Sequence, residues 1–176
     1  REFYRSDDQL LCISKQTKNL VKNVLRDHKK EDWAVQYVPH GIDEKKFFPI
    51  INDLEFEAFK EKIIGEEELD FVVLWNSRNI RRKNPSDIIL AWRTFLDQLP
   101  VEKAKKCMLL MKTEPVFDHG TDLPAVIDSL CDPEIHKVKI IHERFDEKHL
   151  NYLYNCSDAH MFMTDNEGWG LGLTES

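Results

Sequence analysis

Apolar residues follow two alternating rhythms along this chain: short unbroken runs, and stretches with one apolar residue every three or four positions. The first rhythm predicts buried strands and the second predicts helices with one covered face. Gln9–Ile13 reads as a strand, and Ser14 is placed to cap a helix carrying Leu20, Val21, Val24 and Leu25 on one side. Trp33–Val38 is the next strand, ending at the turn Pro39-His-Gly-Ile-Asp43. Phe47-Phe48-Pro49 reads as a surface tether. After it, Asn52 or Asp53 caps a short helix with Phe56, Phe59 and Ile63, which Gly65 stops. The run Glu66-Glu67-Glu68 reads as a solvated loop.

A more regular region begins at Asp70. Phe71–Trp75 is continuously apolar, as strands covered on both faces are. Asn84-Pro85 marks a helix start, and Ile88, Ile89, Trp92, Phe95, Leu96 and Leu99 repeat at helical spacing; Trp75, Trp92 and Phe95 read as core. Strand Cys107–Met111, helix Leu123–Leu130, strand Val138–Ile141, a helix capped by Asp146 with Leu150, Leu153 and Tyr154, and strand Ala159–Met163 complete the series. Such alternation predicts right-handed βαβ crossovers and an α/β, Rossmann-like parallel sheet with helices on both faces. The expected division is a β-α-β remnant over 1–43, a linker with a short helix over 44–69, and a truncated nucleotide-sugar-binding domain over 70–176.

Composition narrows the function classes. With 41% hydrophobic and 32% charged residues, the 176-residue chain supports a packed core. A net charge of -7 opposes an extended nucleic-acid face. No apolar run reaches the ~20 residues that span a bilayer. The first eight residues are polar and charged, so no signal peptide is expected. Cys12, Cys107, Cys131 and Cys156 lack metal or redox spacing and read as free thiols in a reducing cytosol.

Ligands of open α/β sheets bind beyond the carboxyl ends of the strands, so three loops draw the chemistry. Asn76–Asn84 holds Arg78, Arg81, Arg82 and Lys83 between a strand and a helix start, where a phosphate gains both charge and free N–H groups. As a solvated basic loop it would only pair with nearby acids. Thr164–Glu175 brackets Gly168, Gly170 and Gly172 between Glu167 and Glu175. Its glycines allow backbone to approach an anion, and a carboxylate can hold a vicinal diol. Glu143, Arg144 and Phe145 in Ile141–Asp146 can line a base pocket, though Phe145 reads equally well as core. Trp169 fits sugar stacking or packing under the loop. His40, His142 and His160 read as structural, with His160 at or near the core, and Asp165-Asn166-Glu167 is a poor metal site.

Glu167-Gly-Trp-Gly-Leu-Gly-Leu-Thr-Glu175 resembles the signature of the retaining glycosyltransferases of family 4: two glutamates bracketing a Gly-aromatic-Gly-Leu stretch. Arg78…Lys83, Pro39-His-Gly-Ile-Asp43 with Phe48-Pro49, and Ile13-Ser14 agree in the order of that family. Ser77 and Asn84 stand where glycine is common in it. The resemblance implies the donor-binding half of a GT-B fold. It also implies transfer of a sugar from a UDP- or GDP-sugar, with retained configuration, to a sugar, lipid or protein acceptor. It further implies that Arg78 and Lys83 neutralise the leaving diphosphate and Glu167 lies near the transferred sugar. Glu175 would hold the ribose, and the amides around Gly168, Gly170 and Leu171 would touch sugar or phosphate. Neither a metal nor a resident cofactor is implied.

A cytoplasmic location is expected, with peripheral membrane attachment of a full-length protein left open. The chain is expected to be a fragment with little transferase activity alone, associating with itself through uncovered sheet surfaces. The alternatives are a non-catalytic Rossmann-like nucleotide-binding or regulatory domain, or another GT-B enzyme such as a sugar-nucleotide epimerase.

Overall fold

A computed structural model describes residues 9–25 and 34–176 and divides the chain into two compact units. Among the described residues, the smaller comprises 9–25, 34–42 and 167–171, and the larger 43–166 with 172–176.

In the smaller unit, β1 (Leu10–Cys12) and β2 (Val35–Tyr37) pair in parallel around α1 (Lys15–Leu25). Ser14 caps this helix by accepting from the Thr17 amide at 3.0 Å. Val21 and Leu25, one turn apart, close over Cys12 and Val35. Leu20, expected on the same face, is 57% exposed, because the two short strands cover only the Val21–Leu25 stripe. Trp33, the expected start of the second strand, lies outside the described residues.

The larger unit is built on a four-stranded parallel sheet of order β5-β4-β3-β6: β3 (Phe71–Asn76), β4 (Cys107–Lys112), β5 (Lys137–Ile141) and β6 (Ala159–His160). Side chains alternate between its faces. Val72, Leu74, Met108 and Leu110 meet α2 (Leu54–Ile64) and α6 (Glu147–Asn155) on one face. Val73, Trp75, Leu109 and Met111 meet α3 (Pro85–Leu96) and α5 (Leu123–Leu130) on the other. Both faces are covered, which is why β3 and β4 read as unbroken apolar runs. The short α4 (Val101–Ala104) precedes β4, and α7 (Leu171–Glu175) ends the chain.

Local signals fix the helix ends. Asp53 accepts from the Glu55 and Phe56 amides, Asp122 from Ala125 and Asp146 from His149. Gly65 closes α2 at φ 99°, a region only glycine enters readily. Residues 44–69, read as a linker, bring Phe56, Phe59, Ile63 and Ile64 into the core of the larger unit.

Two further sequence expectations change. Phe95 is 39% exposed, lying over Phe71 and Trp92 at the margin of α3. The last strand covers only Ala159–His160, not 159–163. After Met161 donates to Leu74, residues 164–166 turn to bond with the Arg81–Lys83 turn.

Candidate functional site

The carboxyl ends of β3, β4 and β5 open into one cavity of about 400 Å³ in the larger unit. Arg78 reaches it from the loop after β3, Lys112 from the end of β4, and His142 and Arg144 from the loop after β5. Among the described residues, no carboxylate pairs with Arg78, Lys112 or Arg144. Burial lowers the Lys112 pKa, and neighbouring Arg144 lowers it further. The Lys112 ammonium lies 5.6 Å from the centre of the Phe145 ring, whose electron-rich face attracts it. Thr113, on the cavity wall, is 5% exposed and its hydroxyl has no partner among the described residues. Glu114 also lines the cavity, so three cations face one carboxylate there, and with the spare hydroxyl this balance suits an anion.

A larger hollow, about 600 Å³, lies by the open edge of β5 and includes Met108 and Lys137 from the amino ends of their strands. Size alone would favour it. Its one lysine at the strand start is already paired with Glu67, and parallel sheets bind ligands at the opposite end.

Asn79 fixes the cavity's shape. It is 2% exposed, and its amide donates to the Glu114 and Thr121 carbonyls at 3.0 and 2.7 Å while accepting from the Thr121 N–H at 3.0 Å. One side chain thus ties the loop after β3 to the loop after β4. Sequence reading passed over Asn79 and Lys112; Lys112, a cation at the end of an apolar strand, was the available signal.

The other sequence-chosen residues do not line this cavity. Lys83 is 8% exposed, lies 5.1 Å from the Phe162 ring centre, and does not line the cavity. Burial, then Arg82, lowers its pKa. Asn84, where glycine is common in family 4, adopts φ 48°, a left-handed geometry asparagine tolerates. Its side chain does not cap α3; the amide donates to Asp165 at 2.9 Å. Glu143 pairs with Lys62 at 2.9 Å on the surface, and Phe145 packs edge-on against Phe59. Glu175 accepts from the Tyr154 hydroxyl at 3.0 Å. Glu167, Gly168, Gly170 and Leu171 belong to the smaller unit, where Gly168 lies against Ile13 and Gly170 has φ 87°. Trp169 packs edge-on with His40 in the same unit.

His160 is half-buried beside Tyr154 and Phe162. Burial pushes its pKa below 6.5, opposed by the weaker effect of the Gly172 backbone. The folded ring stays neutral while the unfolded ring gains a proton as pH falls through about 6.5. Stability from this site is therefore present above that pH and lost below it. Melting temperature is expected to decline as pH falls from 7 towards 5.5, with a shallower decline in His160→Gln. Equal slopes in thermal melts of the two proteins would refute this. Asp53, Glu55 and Asp146 have lowered pKa values and titrate in a separate, more acidic window.

No family model and no curated protein sequence matches this chain. Solved structures do. Sucrose-phosphate synthase from Thermosynechococcus elongatus superposes with a TM-score of 0.68 at 17% identity, over 99% of this chain and 39% of that one. WaaG, a glycosyltransferase of lipopolysaccharide biosynthesis, gives 0.69 at 18% identity over 95% and 41%. The trehalose-6-phosphate synthase OtsA gives 0.67 at 13% over 96% and 42%. The chain thus spans about two fifths of the length of these proteins. Its fold is that of one Rossmann-like half of the GT-B glycosyltransferases. No helix among the described residues is long and apolar enough to cross a membrane.

Proposed function

We propose that this chain is the donor-binding part of a retaining glycosyltransferase of family 4, whose ligand is a UDP- or GDP-sugar. The observation carrying the reading is the convergence of Arg78, Lys112 and Arg144, none paired with a carboxylate among the described residues, at the carboxyl ends of parallel strands. When the bond between sugar and diphosphate breaks, the electron pair leaves with the diphosphate. Preorganised cations stabilise that developing charge, commonly the largest electrostatic contribution to such a step. No divalent ion enters this scheme.

The spacing of Glu167 and Glu175 supports family 4 and retention. In this reading Glu167 faces the transferred sugar, Glu175 the ribose, and the backbone of Gly168, Gly170 and Leu171 the sugar or phosphate. Lys83 anchors the end of the basic loop against Phe162. His142, Glu143, Arg144 and Phe145 form the loop nearest the base. The acceptor, whether sugar, lipid or protein, belongs to parts of a larger enzyme beyond this chain, and a cytoplasmic setting supplies nucleotide sugars.

Titration calorimetry of the 176-residue chain with UDP and GDP tests the reading. Saturable binding that weakens as salt rises is expected, because screening acts on the cation–phosphate attraction. A folded sample that binds neither nucleotide would refute the proposal and leave a scaffold.

A further inference from the structure

The tyrosine on the last full helix has a place in the site that its apolar spacing concealed. Tyr154 is 6% exposed on α6. The Asn76 amide donates to its hydroxyl at 3.0 Å, and that hydroxyl donates to Glu175 Oε2 at 3.0 Å. A phenol has one proton to give. With the Asn76 amide already on the oxygen, that proton is directed to the carboxylate. Burial, reinforced by the charge of Glu175, raises the Tyr154 pKa well above its ordinary value, so the hydroxyl remains a donor.

The remaining contacts hold this arrangement in place. A Cβ built on Gly172 would stand 3.6 Å from both the Tyr154 hydroxyl and His160 Cε1, so the first turn of α7 rests on these two rings. Asn76, at the other end of the relay, lines the cation-rich cavity. Three residues distant in sequence, Asn76, Tyr154 and Glu175, thus form a line from the cavity wall to the carboxylate.

We propose that Tyr154, backed by Asn76, is a positioning residue that presets the Glu175 carboxylate and so sets the preference for a ribonucleotide over its 2′-deoxy counterpart. This rests on the donor-site reading above. A carboxylate gripping a vicinal diol accepts from two hydroxyls at once. Fixing Oε2 removes the carboxylate's rotational freedom before the ligand arrives, and preorganisation of that kind strengthens binding. A nucleotide lacking the 2′-hydroxyl gains little from it.

The test compares UDP with 2′-deoxy-UDP, and GDP with 2′-deoxy-GDP, on wild type, Tyr154→Phe and Asn76→Ala by titration calorimetry. Wild type is expected to favour the ribonucleotide about 10-fold, equivalent to about 1.4 kcal/mol. Tyr154→Phe keeps the ring and is expected to lose most of that ratio, with 2′-deoxynucleotide affinity within about twofold of wild type. Asn76→Ala should shift the ratio in the same direction by a smaller factor, and it carries the test if Tyr154→Phe does not fold. A variant ratio equal to that of wild type, or a wild type indifferent to the 2′-hydroxyl, would overturn the role of Tyr154 and leave the diphosphate reading intact. A wild type that binds no nucleotide defeats both.

Discussion

Gly120→Ala is expected to destabilise the larger unit by about 3 kcal/mol, combining overpacking with a disturbed buried amide. A Cβ at this position would lie 2.1 Å from the Asn79 carbonyl oxygen and 2.4 Å from Asn79 Oδ1. Neither group can simply swing away. The carbonyl is backbone, and the buried amide is committed to Glu114 and Thr121. Relief must separate the two loops that wall the cavity, so nucleotide affinity is expected to fall together with stability. The melting temperature should drop by roughly 6–12 °C, given about 2–4 °C per kcal/mol for a chain of this size. Gly41→Ala is the control. A Cβ there meets nothing within 4 Å, and its effect should stay within about 0.5 kcal/mol. Equal melting curves for the two variants would remove the interlock from the account.

Arg78→Ala is expected to weaken UDP or GDP binding about 10- to 100-fold while leaving the melting temperature nearly unchanged. A hydrogen bond to a charged partner contributes about 1.5–3 kcal/mol, which converts to that range. The guanidinium lines the cavity and has no carboxylate partner among the described residues, so its removal strands no buried charge. Affinity lost at low salt should shrink at high salt, where wild type loses its advantage too. Unchanged affinity in Arg78→Ala, measured by calorimetry at low salt, would move the anion site away from this cavity.

Elements governed by local rules were legible in the sequence. The run Phe71–Trp75 became β3 because a strand covered on both faces has no polar side to show. Asp53, Asp146 and Ser14 cap their helices because a side-chain oxygen near a free amide needs only its neighbours. Arg78 was recognisable as a cation beyond a strand end, where a parallel sheet opens to ligands, whereas Arg144 was read as lining a base pocket.

Lys83 was harder to read. Its spacing from Arg78 pointed to the phosphate, but the Arg81–Lys83 turn puts it against Phe162. Glu143 and Arg144 are adjacent in the chain, yet only Arg144 lines the cavity; Glu143 meets Lys62 of α2. Spacing cannot tell such neighbours apart, because orientation depends on elements packed from elsewhere. Leu20 and Phe95 carried the right periodicity for burial but found too little surface to cover them.

Periodicity and caps act over a few residues, so the order of strands and helices, the parallel α/β sheet and the cationic loop were written in the sequence itself. Tertiary structure alone decided which polar groups meet. Asn79 locks onto the loop before Thr121, Lys112 joins Arg144 at one cavity, and Asn76 reaches Glu175 through Tyr154. The partners in these contacts stand tens of residues apart and come within bonding distance only when strands pair in register and helices cover both faces. Local chemistry sets the elements, and long-range packing sets the site.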